Sequence, residues 1–227
     1  CIYVGCIKME KKDKRNLDEY WTDRGEVYYN EYYDQPKYEL ERLKTQEKFL
    51  TDNFIDEKIN SILEVGCGFG RYTNILSSII NPESYTAIDI SNSQIEKAKK
   101  YVKNDKIDFI TSRFQNYNSS EKYDLVFASE ILMHIDFLKI DDFIEKLVSF
   151  SNKKILTIDW YEKELIGTAE GGYCFMHDYK KIFKNFNVKN VDVTMIPLTT
   201  KLKAVNAFTK LRGRHGVGRQ AIISIEV

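Results

Sequence analysis

A glycine-rich turn directly follows a short apolar strand in the first third of the chain. Ile62, Leu63 and Val65 supply the apolar run of a strand buried in a parallel sheet. Glycines at positions 66, 68 and 70 come next, and they let the backbone turn sharply and let a ligand approach it closely. The helix predicted from Arg71 to Ile80 directs its positive N-terminal end toward this turn. The stretch therefore predicts a cradle for a nucleotide-like ligand.

An acidic residue near the end of the next predicted strand fits the same ligand. Residues 85–90 read as a strand, and Asp89 lies about 20 residues beyond the glycine turn. A carboxylate at that place can accept hydrogen bonds from both ribose hydroxyls of an adenosine. The alternative role is capping of the helix predicted from Asn92 to Val102. The spacing and the strand position favour ribose binding.

The glycine spacing separates two classes of ligand. The dinucleotide fingerprint G-x-G-x-x-G would place its third glycine at position 71, which is Arg71 here. The chain instead has G-x-G-x-G, preceded by Glu64 at the strand end. With Glu64, this stretch resembles motif I of the class I S-adenosylmethionine-dependent methyltransferases. The resemblance implies that Glu64 lies near the methionine amino group of the cofactor and that the glycines pass beneath the ligand.

A second block, Tyr123 to Ile135, resembles the motif that follows the fourth strand in the same family. There the loop lies beneath the sulfonium end of the cofactor, which implicates Ser129 and Glu130. The Pro-Pro-aromatic box of exocyclic-amine nucleic acid methyltransferases and the Pro-Cys nucleophile of cytosine C5 enzymes are both missing from this block. The resemblance therefore implies methyl transfer to a small acceptor.

The third predicted strand, residues 106–111, leads to the position where the family commonly has an acidic adenine contact. This chain has Ser112 and Arg113 there, so the adenine partner stays open, with the backbone around Arg113 and Phe114 as one option. For the cofactor site as a whole, the prediction names Glu64, Gly66, Cys67, Gly68, Gly70, Asp89, Ile90, Ser112, Arg113, Phe114, Ser129, Glu130, Tyr20, Trp21 and Arg24.

Three side chains are candidates for a general base, which a hydroxyl acceptor would need. His134 follows the fourth strand, and it reads equally well as a base or as a hydrogen-bonded residue lining the pocket. His177 belongs to a His-Asp-Tyr patch that resembles a helix-opening pattern in some sugar and small-molecule methyltransferases. Asp159 lies near the end of the fifth predicted strand, residues 154–161.

Two segments of unusual composition flank these motifs. Residues 1–36 are charged and aromatic, and the resemblance suggests a lid over the cofactor formed with Tyr20, Trp21, Arg24 and Tyr28; the alternative is packing on the domain's own core. Residues 199–218 form a basic insertion that is either a solvated loop or a contact for an anionic group. Because Met9 reads as a natural start, residues 1–8 are expected to be non-native.

The order of predicted elements indicates the fold. Strands alternate with helices, and the β-rich segments 188–196 and 220–227 come last. This order predicts a three-layer α/β/α Rossmann-like domain over residues 37–227, with a seven-stranded sheet that is parallel except for a terminal antiparallel hairpin.

Composition narrows the partners. Lys and Arg number 34 and Asp and Glu number 34, so no overall field attracts nucleic acid or a membrane surface. The 4 cysteines form no C-x-x-C pair and have no metal-ligand spacing with the 3 histidines. No apolar run reaches the length of a membrane span. We therefore expect a cytoplasmic protein with no metal and no membrane contact, with nucleic acid disfavoured and a homodimer as its assembly.

These observations combine into one functional expectation with three alternatives. The resemblance implies an enzyme that uses S-adenosylmethionine, releases S-adenosylhomocysteine and methylates a small polar acceptor such as the hydroxyl or amine of a sugar or sugar nucleotide. The alternatives are an NAD-dependent oxidoreductase, a non-catalytic partner subunit with the same fold, and an RNA methyltransferase.

Overall fold

The computed structural model describes residues 17–33, 37–54, 58–170, 173–211 and 219–227. Two helices come first, and strands and helices then alternate. The helices are α1 (Leu17–Tyr33), α2 (Lys37–Phe54), α3 (Arg71–Ile80), α4 (Asn92–Tyr101), α5 (Ile140–Phe150), α6 (Tyr179–Phe183) and α7 (Thr200–Leu211). The strands are β1 (Ser61–Val65), β2 (Ser84–Asp89), β3 (Ile107–Thr111), β4 (Tyr123–Ser129), β5 (Ser151–Trp160), β6 (Ala169–Glu170), β7 (Cys174–Phe175), β8 (Asn190–Met195) and β9 (Gln220–Glu226).

Seven of these strands form one sheet in the order β3-β2-β1-β4-β5-β9-β8. Strands β1 to β5 pair in parallel, whereas β9 is antiparallel to both β5 and β8. The strand order reverses between β1 and β4, and in such sheets ligands bind at the carboxyl ends of the strands beside that reversal. The predicted fold, including the terminal antiparallel hairpin, is confirmed.

The sheet is covered on both faces, which explains why its strands are apolar almost throughout. Along β1, Leu63 and Val65 belong to the core cluster on one face, which includes Phe143 and Leu147 of α5. Ile62 belongs to the cluster on the other face, with residues of α2, α3 and α4. The helices therefore hold the sheet rigidly and leave its carboxyl edge to loops.

The basic insertion at 199–218 differs from its prediction as a solvated loop, because residues 200–211 form α7. The Thr199 hydroxyl accepts a hydrogen bond from the Leu202 backbone at 3.2 Å and donates one to Glu41 of α2 at 2.6 Å. Leu202 is 1% exposed. The buried Leu202 and the hydrogen bonds of Thr199 therefore hold α7 against α2. Residues 212–218, which include Arg212 and Arg214 of the basic insertion, lie outside the described part of the chain.

Within the described residues, no helix combines the length and apolar character that crossing a membrane requires.

Candidate active site

A cavity of about 620 Å³ lies at the carboxyl ends of β1 to β4, beneath α1. Its volume is within the range of small-molecule sites. Most of the predicted cofactor residues line it: Glu64, Gly66, Cys67, Gly68, Asp89, Ile90, Ser112, Arg113, Phe114, Ser129, Glu130, Trp21 and Arg24. His134 lines it too. The tertiary structure thus brings together segments that are far apart in the sequence.

The glycines of the turn have different roles. Gly68 has φ 54°, and a Cβ added there would find nothing nearer than Gln94 Oε1 at 3.7 Å, so this part of the turn is open to a ligand. Gly70 has φ 90°, and a Cβ there would lie 2.7 Å from Val102 Cγ2. Gly70 is not among the cavity-lining residues. Its prediction as a cofactor contact is therefore replaced by a packing role: its missing side chain lets α4 approach the turn.

Asp89 connects the glycine turn to the end of β2. Its Oδ2 accepts the Gly68 N–H at 2.8 Å and its Oδ1 accepts the Ser91 N–H at 2.8 Å. Burial raises the pKa of Asp89 above its ordinary value, although these backbone hydrogen bonds oppose the rise. The N-cap position of α4 is occupied by Ser91 and not by Asp89. Both carboxylate oxygens are therefore held in place by backbone N–H groups at the edge of the cavity.

Glu64 is the second carboxylate in the cavity, and it is 3% exposed. Its Oε2 accepts hydrogen bonds from the Thr73 hydroxyl at 2.6 Å and the Tyr85 hydroxyl at 2.7 Å. Burial raises the pKa of Glu64 to about 7 despite these hydrogen bonds. Near neutral pH this group therefore exists in both forms, and a neighbouring cation would shift it to the carboxylate.

At the end of β3, where the sequence predicts the adenine contact, the structure shows an ion pair that was not predicted. The Arg113 guanidinium pairs with Asp18 of α1, so it connects the covering helix to the end of β3. The Arg113 carbonyl accepts the Asn116 N–H at 3.0 Å, and the Ser112 hydroxyl donates to the same carbonyl at 2.9 Å. These contacts engage the Arg113 side chain and carbonyl, and they leave the adenine partner open.

Glu130 follows β4 and has φ 58°, in the left-handed region. Its carboxylate accepts hydrogen bonds from Arg42 of α2 at 3.1 Å and from Gln220 of β9 at 2.6 Å. Burial alone would raise the pKa of Glu130, but Arg42, Arg71 and the Gln220 hydrogen bond outweigh burial and lower it. Glu130 therefore lines the cavity as a charged group that is already paired.

His134 is held by a hydrogen bond of 2.8 Å between its Nδ1 and the Tyr173 carbonyl. A carbonyl only accepts, so Nδ1 carries the proton and Nε2 keeps its lone pair. Burial lowers the pKa of His134 below 6.5, although the hydrogen bond to Tyr173 acts in the opposite direction. The Trp21 ring of α1 packs 4.9 Å from the imidazole, centroid to centroid. At neutral pH this is an uncharged imidazole whose free nitrogen can accept a proton.

The other two predicted bases do not line the cavity. Asp159 is 0% exposed and His177 is 1% exposed. Because β5 is covered on both faces, Asp159 points into packed protein. His177 lies between aromatic rings, 5.1 Å from that of Phe137 and 5.8 Å from that of Tyr179. Both predictions as groups that contact the substrate are replaced by the supporting contacts described below.

The residues predicted to form an N-terminal lid lie at different distances from the cavity. Trp21 and Arg24 line the cavity, whereas Tyr20 does not and packs edge-on against Trp21 at 5.2 Å. The Tyr28 side chain lies outside the described residues. Sequence reasoning did not pick out several other lining residues, namely Asp18, Gly25, Arg71, Gln94, Gln115, Ile131, Ile135, Asp136, Lys139, Phe143 and Phe175. Of these, Gly25 alone carried a signal, as a glycine inside a helical stretch.

The comparisons with known proteins agree with this geometry. Residues 62–153 match the family model described as "Methyltransferase domain". This match covers less than half of the chain, and it includes the glycine turn, Asp89, Glu130 and His134. In a solved structure, that of magnesium protoporphyrin IX methyltransferase from Synechocystis with bound S-adenosylmethionine, the fold superposes with a TM-score of 0.63 at 13% identity. The alignment covers 95% of this chain and 99% of that one.

Among named relatives, the malonyl-(acyl-carrier protein) O-methyltransferase of Priestia megaterium is 34% identical over 44% of the chain and 35% of its own length. Malonyl-(acyl-carrier protein) O-methyltransferase 1 of Ilyobacter polytropus is 23% identical over 93% of the chain and 80% of its length. The ubiquinone biosynthesis O-methyltransferase of Rickettsia canadensis is 33% identical over 60% of the chain and 61% of its length. The chain thus covers about a third of the first relative and less than two thirds of the third.

Proposed function

We propose that this methyltransferase domain binds S-adenosylmethionine in the cavity, methylates a hydroxyl of a small polar acceptor and releases S-adenosylhomocysteine. The observation that carries the proposal is the cradle of Gly68 and Asp89. The backbone turn is open at Gly68, and the carboxylate that fixes it also faces the cavity. The named relatives and the ligand in the Synechocystis structure support the same cofactor.

The residues present fit this cofactor. Asp89 would hold the ribose hydroxyls, and Glu64 would pair with the amino group of the methionine part. Within the described residues, the buried Gln94 Oε1 in the cavity lining has no hydrogen-bond partner. Buried polar atoms of this kind are usually satisfied by something, and a polar ligand would do so.

When bound, the cofactor supplies an electrophilic methyl group, so the protein's own task is to align the acceptor and exclude water. His134 is placed to accept the hydroxyl proton at Nε2, because Nδ1 already donates to Tyr173. Trp21, Arg24 and Gly25 of α1 line the cavity, so α1 lies over part of it. An amine acceptor would use the same cavity with less need of the base.

The acceptor itself belongs to the proposal. The relatives are named for acceptors as different as a malonyl thioester and a ubiquinone precursor, so the cofactor cradle does not determine the acceptor. The lining beyond His134 combines the aromatic Phe143 and Phe175 with the charged Asp136 and Lys139. This mixture suits a small molecule with both apolar and polar parts, and a sugar or sugar nucleotide remains one such candidate.

Calorimetric titration tests the cofactor. We expect S-adenosylhomocysteine to bind and to raise the melting temperature, whereas NAD does neither. Asp89→Ala should weaken binding by about 1 to 3 kcal/mol, because hydrogen bonds to a charged group are lost. Asp108→Ala on the neighbouring strand β3 is the control and should leave affinity unchanged.

Three outcomes would contradict parts of the proposal. Stabilisation by NAD alone would favour oxidoreduction. Cofactor binding without turnover across a broad acceptor panel, in a complex that requires this chain, would favour a non-catalytic subunit. Transfer of a labelled methyl group to RNA, with steeply salt-dependent binding, would favour an RNA methyltransferase.

A further inference from the structure

We propose that Asp159 and His177 are positioning residues, which hold the turn at residues 132–135 so that His134 keeps one tautomer and one orientation. The inference deepens the proposed function and rests on it for the catalytic role of His134. The orientation of the His134 ring by Asp159 and His177 is inferred from their contacts alone.

Asp159 supports the turn from the sheet. Its Oδ1 accepts the Met133 N–H at 3.1 Å, directly before His134 in the chain. The neighbouring Glu130 N–H bonds to the Ile158 carbonyl at 2.7 Å, so the segment after β4 is attached to the end of β5 at two points. A shift of the Asp159 side chain would therefore move the backbone that carries His134.

His177 holds the other end of the turn. Its Nε2 lies 2.9 Å from the Ile135 carbonyl, and because a carbonyl only accepts, Nε2 is the donor. The same segment supplies the Tyr173 carbonyl that accepts from His134 Nδ1. Residues 173–177 therefore contact the turn twice, once at its backbone and once at the catalytic ring.

This segment is itself anchored away from the turn. The Met176 N–H bonds to the Thr168 carbonyl at 2.9 Å, and the Met176 carbonyl accepts the Gly167 N–H at 2.9 Å. The Phe137 ring packs on both Phe175 and His177, with centroids 5.2 and 5.1 Å away. The turn at residues 132–135 is thus attached to β5 and to the 173–177 segment, and each of these is itself hydrogen-bonded to other parts of the protein.

The Asp159 and His177 side chains are suited to holding the turn in place and not to contacting a substrate. Both side chains are buried, and the Met133 N–H and the Ile135 carbonyl of the turn are among their hydrogen-bond partners. Burial raises the pKa of Asp159 to about 8, so its neutral form predominates at pH 7. A neutral acid hydrogen-bonded through one oxygen and an uncharged imidazole bonded through one nitrogen can orient a turn without contacting a substrate.

The test reads the His134 ring directly by long-range proton–nitrogen NMR of the imidazoles. The chain has only 3 histidines, and loss of signals in His134→Gln assigns those of His134. The wild-type protein should show the Nδ1–H tautomer and a pKa below 6.5. Asp159→Ala and His177→Ala should mix the two tautomers of His134, with affinity for S-adenosylhomocysteine changed by less than about twofold.

Conservative variants separate positioning from general destabilisation. Asp159→Asn keeps an oxygen for the Met133 N–H, and His177→Gln keeps an N–H for the Ile135 carbonyl, so both should retain the wild-type tautomer. Leu156→Ala, a buried change elsewhere on β5, should lower the melting temperature and leave the His134 signals unchanged. These three variants carry the test if the alanine variants do not fold.

Unchanged His134 signals in folded Asp159→Ala and His177→Ala would overturn the inference. So would a loss of the tautomer in Leu156→Ala, or in both conservative variants. Because the spectra are recorded with and without S-adenosylhomocysteine, a protein that does not bind this ligand would refute the proposed function while the free-state spectra still decide the positioning role.

Discussion

At the scale of single residues, the two carboxylates of the cavity, Asp89 and Glu64, accept hydrogen bonds from different kinds of donor. Asp89 accepts from backbone N–H groups of its own loop, which hold its oxygens in place. Glu64 accepts from the Thr73 and Tyr85 hydroxyls, which are neutral donors inside the core. Burial raises the pKa of Glu64 to about 7. Because this pKa lies near neutral pH, the protonation of Glu64 should change when a charged ligand group binds next to it.

This balance predicts proton release when the cofactor product binds. The amino group of S-adenosylhomocysteine favours the Glu64 carboxylate, so binding at pH 7 should release about half a proton, and affinity should rise as the pH increases through 7. Calorimetry in buffers of different ionisation enthalpy measures this number. Glu64→Gln, which does not titrate, is the control and should abolish the release. A binding enthalpy independent of the buffer in the wild-type protein would refute the role of Glu64.

At the scale of elements, α1 covers the cavity through contacts with α4. The Gly25 carbonyl accepts hydrogen bonds from Lys97 Nζ at 2.9 Å and from the Gln94 side chain. Gly25 is buried, and a Cβ there would lie 2.0 Å from Ser91 Oγ. Glycine inside a helix costs about 1 kcal/mol relative to alanine. The close approach of α1 to α4 explains why it stands at this position.

We therefore expect Gly25→Ala to loosen the cover in spite of its better helix propensity. The added methyl group pushes α1 away from Ser91, so S-adenosylhomocysteine should bind about tenfold more weakly and dissociate faster, which corresponds to about 1.4 kcal/mol. Glu26→Ala, an exposed change on the same helix, should leave the affinity unchanged. Titration and stopped-flow fluorescence measure both variants, and equal affinity for the Gly25→Ala protein would show that α1 can shift without affecting the site.

At the scale of the whole molecule, one buried charge network joins three distant parts of the chain. Arg42 of α2 pairs with Glu130 after β4, and both contact Gln220 of β9. The side chains of Arg42 and Glu130 are only 11% and 16% exposed. Removing one member of a buried ion pair leaves the other charge uncompensated, which is far costlier than losing a surface pair.

Arg42→Met should accordingly lower the free energy of unfolding by about 3 to 5 kcal/mol in urea titrations at pH 7. Lys48→Met is the matched control, because Lys48 pairs with Asp52 on the same helix but is 76% exposed; its loss should cost under about 1 kcal/mol. The pKa of Glu130 is lowered below 4.5, so the network stabilises the fold above pH 4.5 and the difference between wild type and Arg42→Met shrinks as the pH falls. Equal losses in the two variants would contradict this reading.

Most of the fold was predictable because its signals are local. The glycine turn, the apolar strands and the amphipathic helix periods each depend on neighbouring residues, and α3 spans Arg71–Ile80 as predicted. The spacing and strand-end position of Asp89 are also local signals, and Asp89 lines the cavity. By contrast, α7 was missed because it forms through docking on α2, and the residues that dock it are separated by more than 150 positions, as the Thr199–Glu41 hydrogen bond shows.

By itself, the sequence predicted the alternating α/β fold and a ligand cradle at the glycine turn, because the apolar strands, the glycine spacing and the strand-end acid are local signals. Only the tertiary structure decided which of three candidate bases faces the cavity. His134, His177 and Asp159 all follow or end strands near the same edge, but the direction of each side chain depends on packing against segments distant in sequence. All three side chains are buried, but that packing places only His134 in the cavity lining.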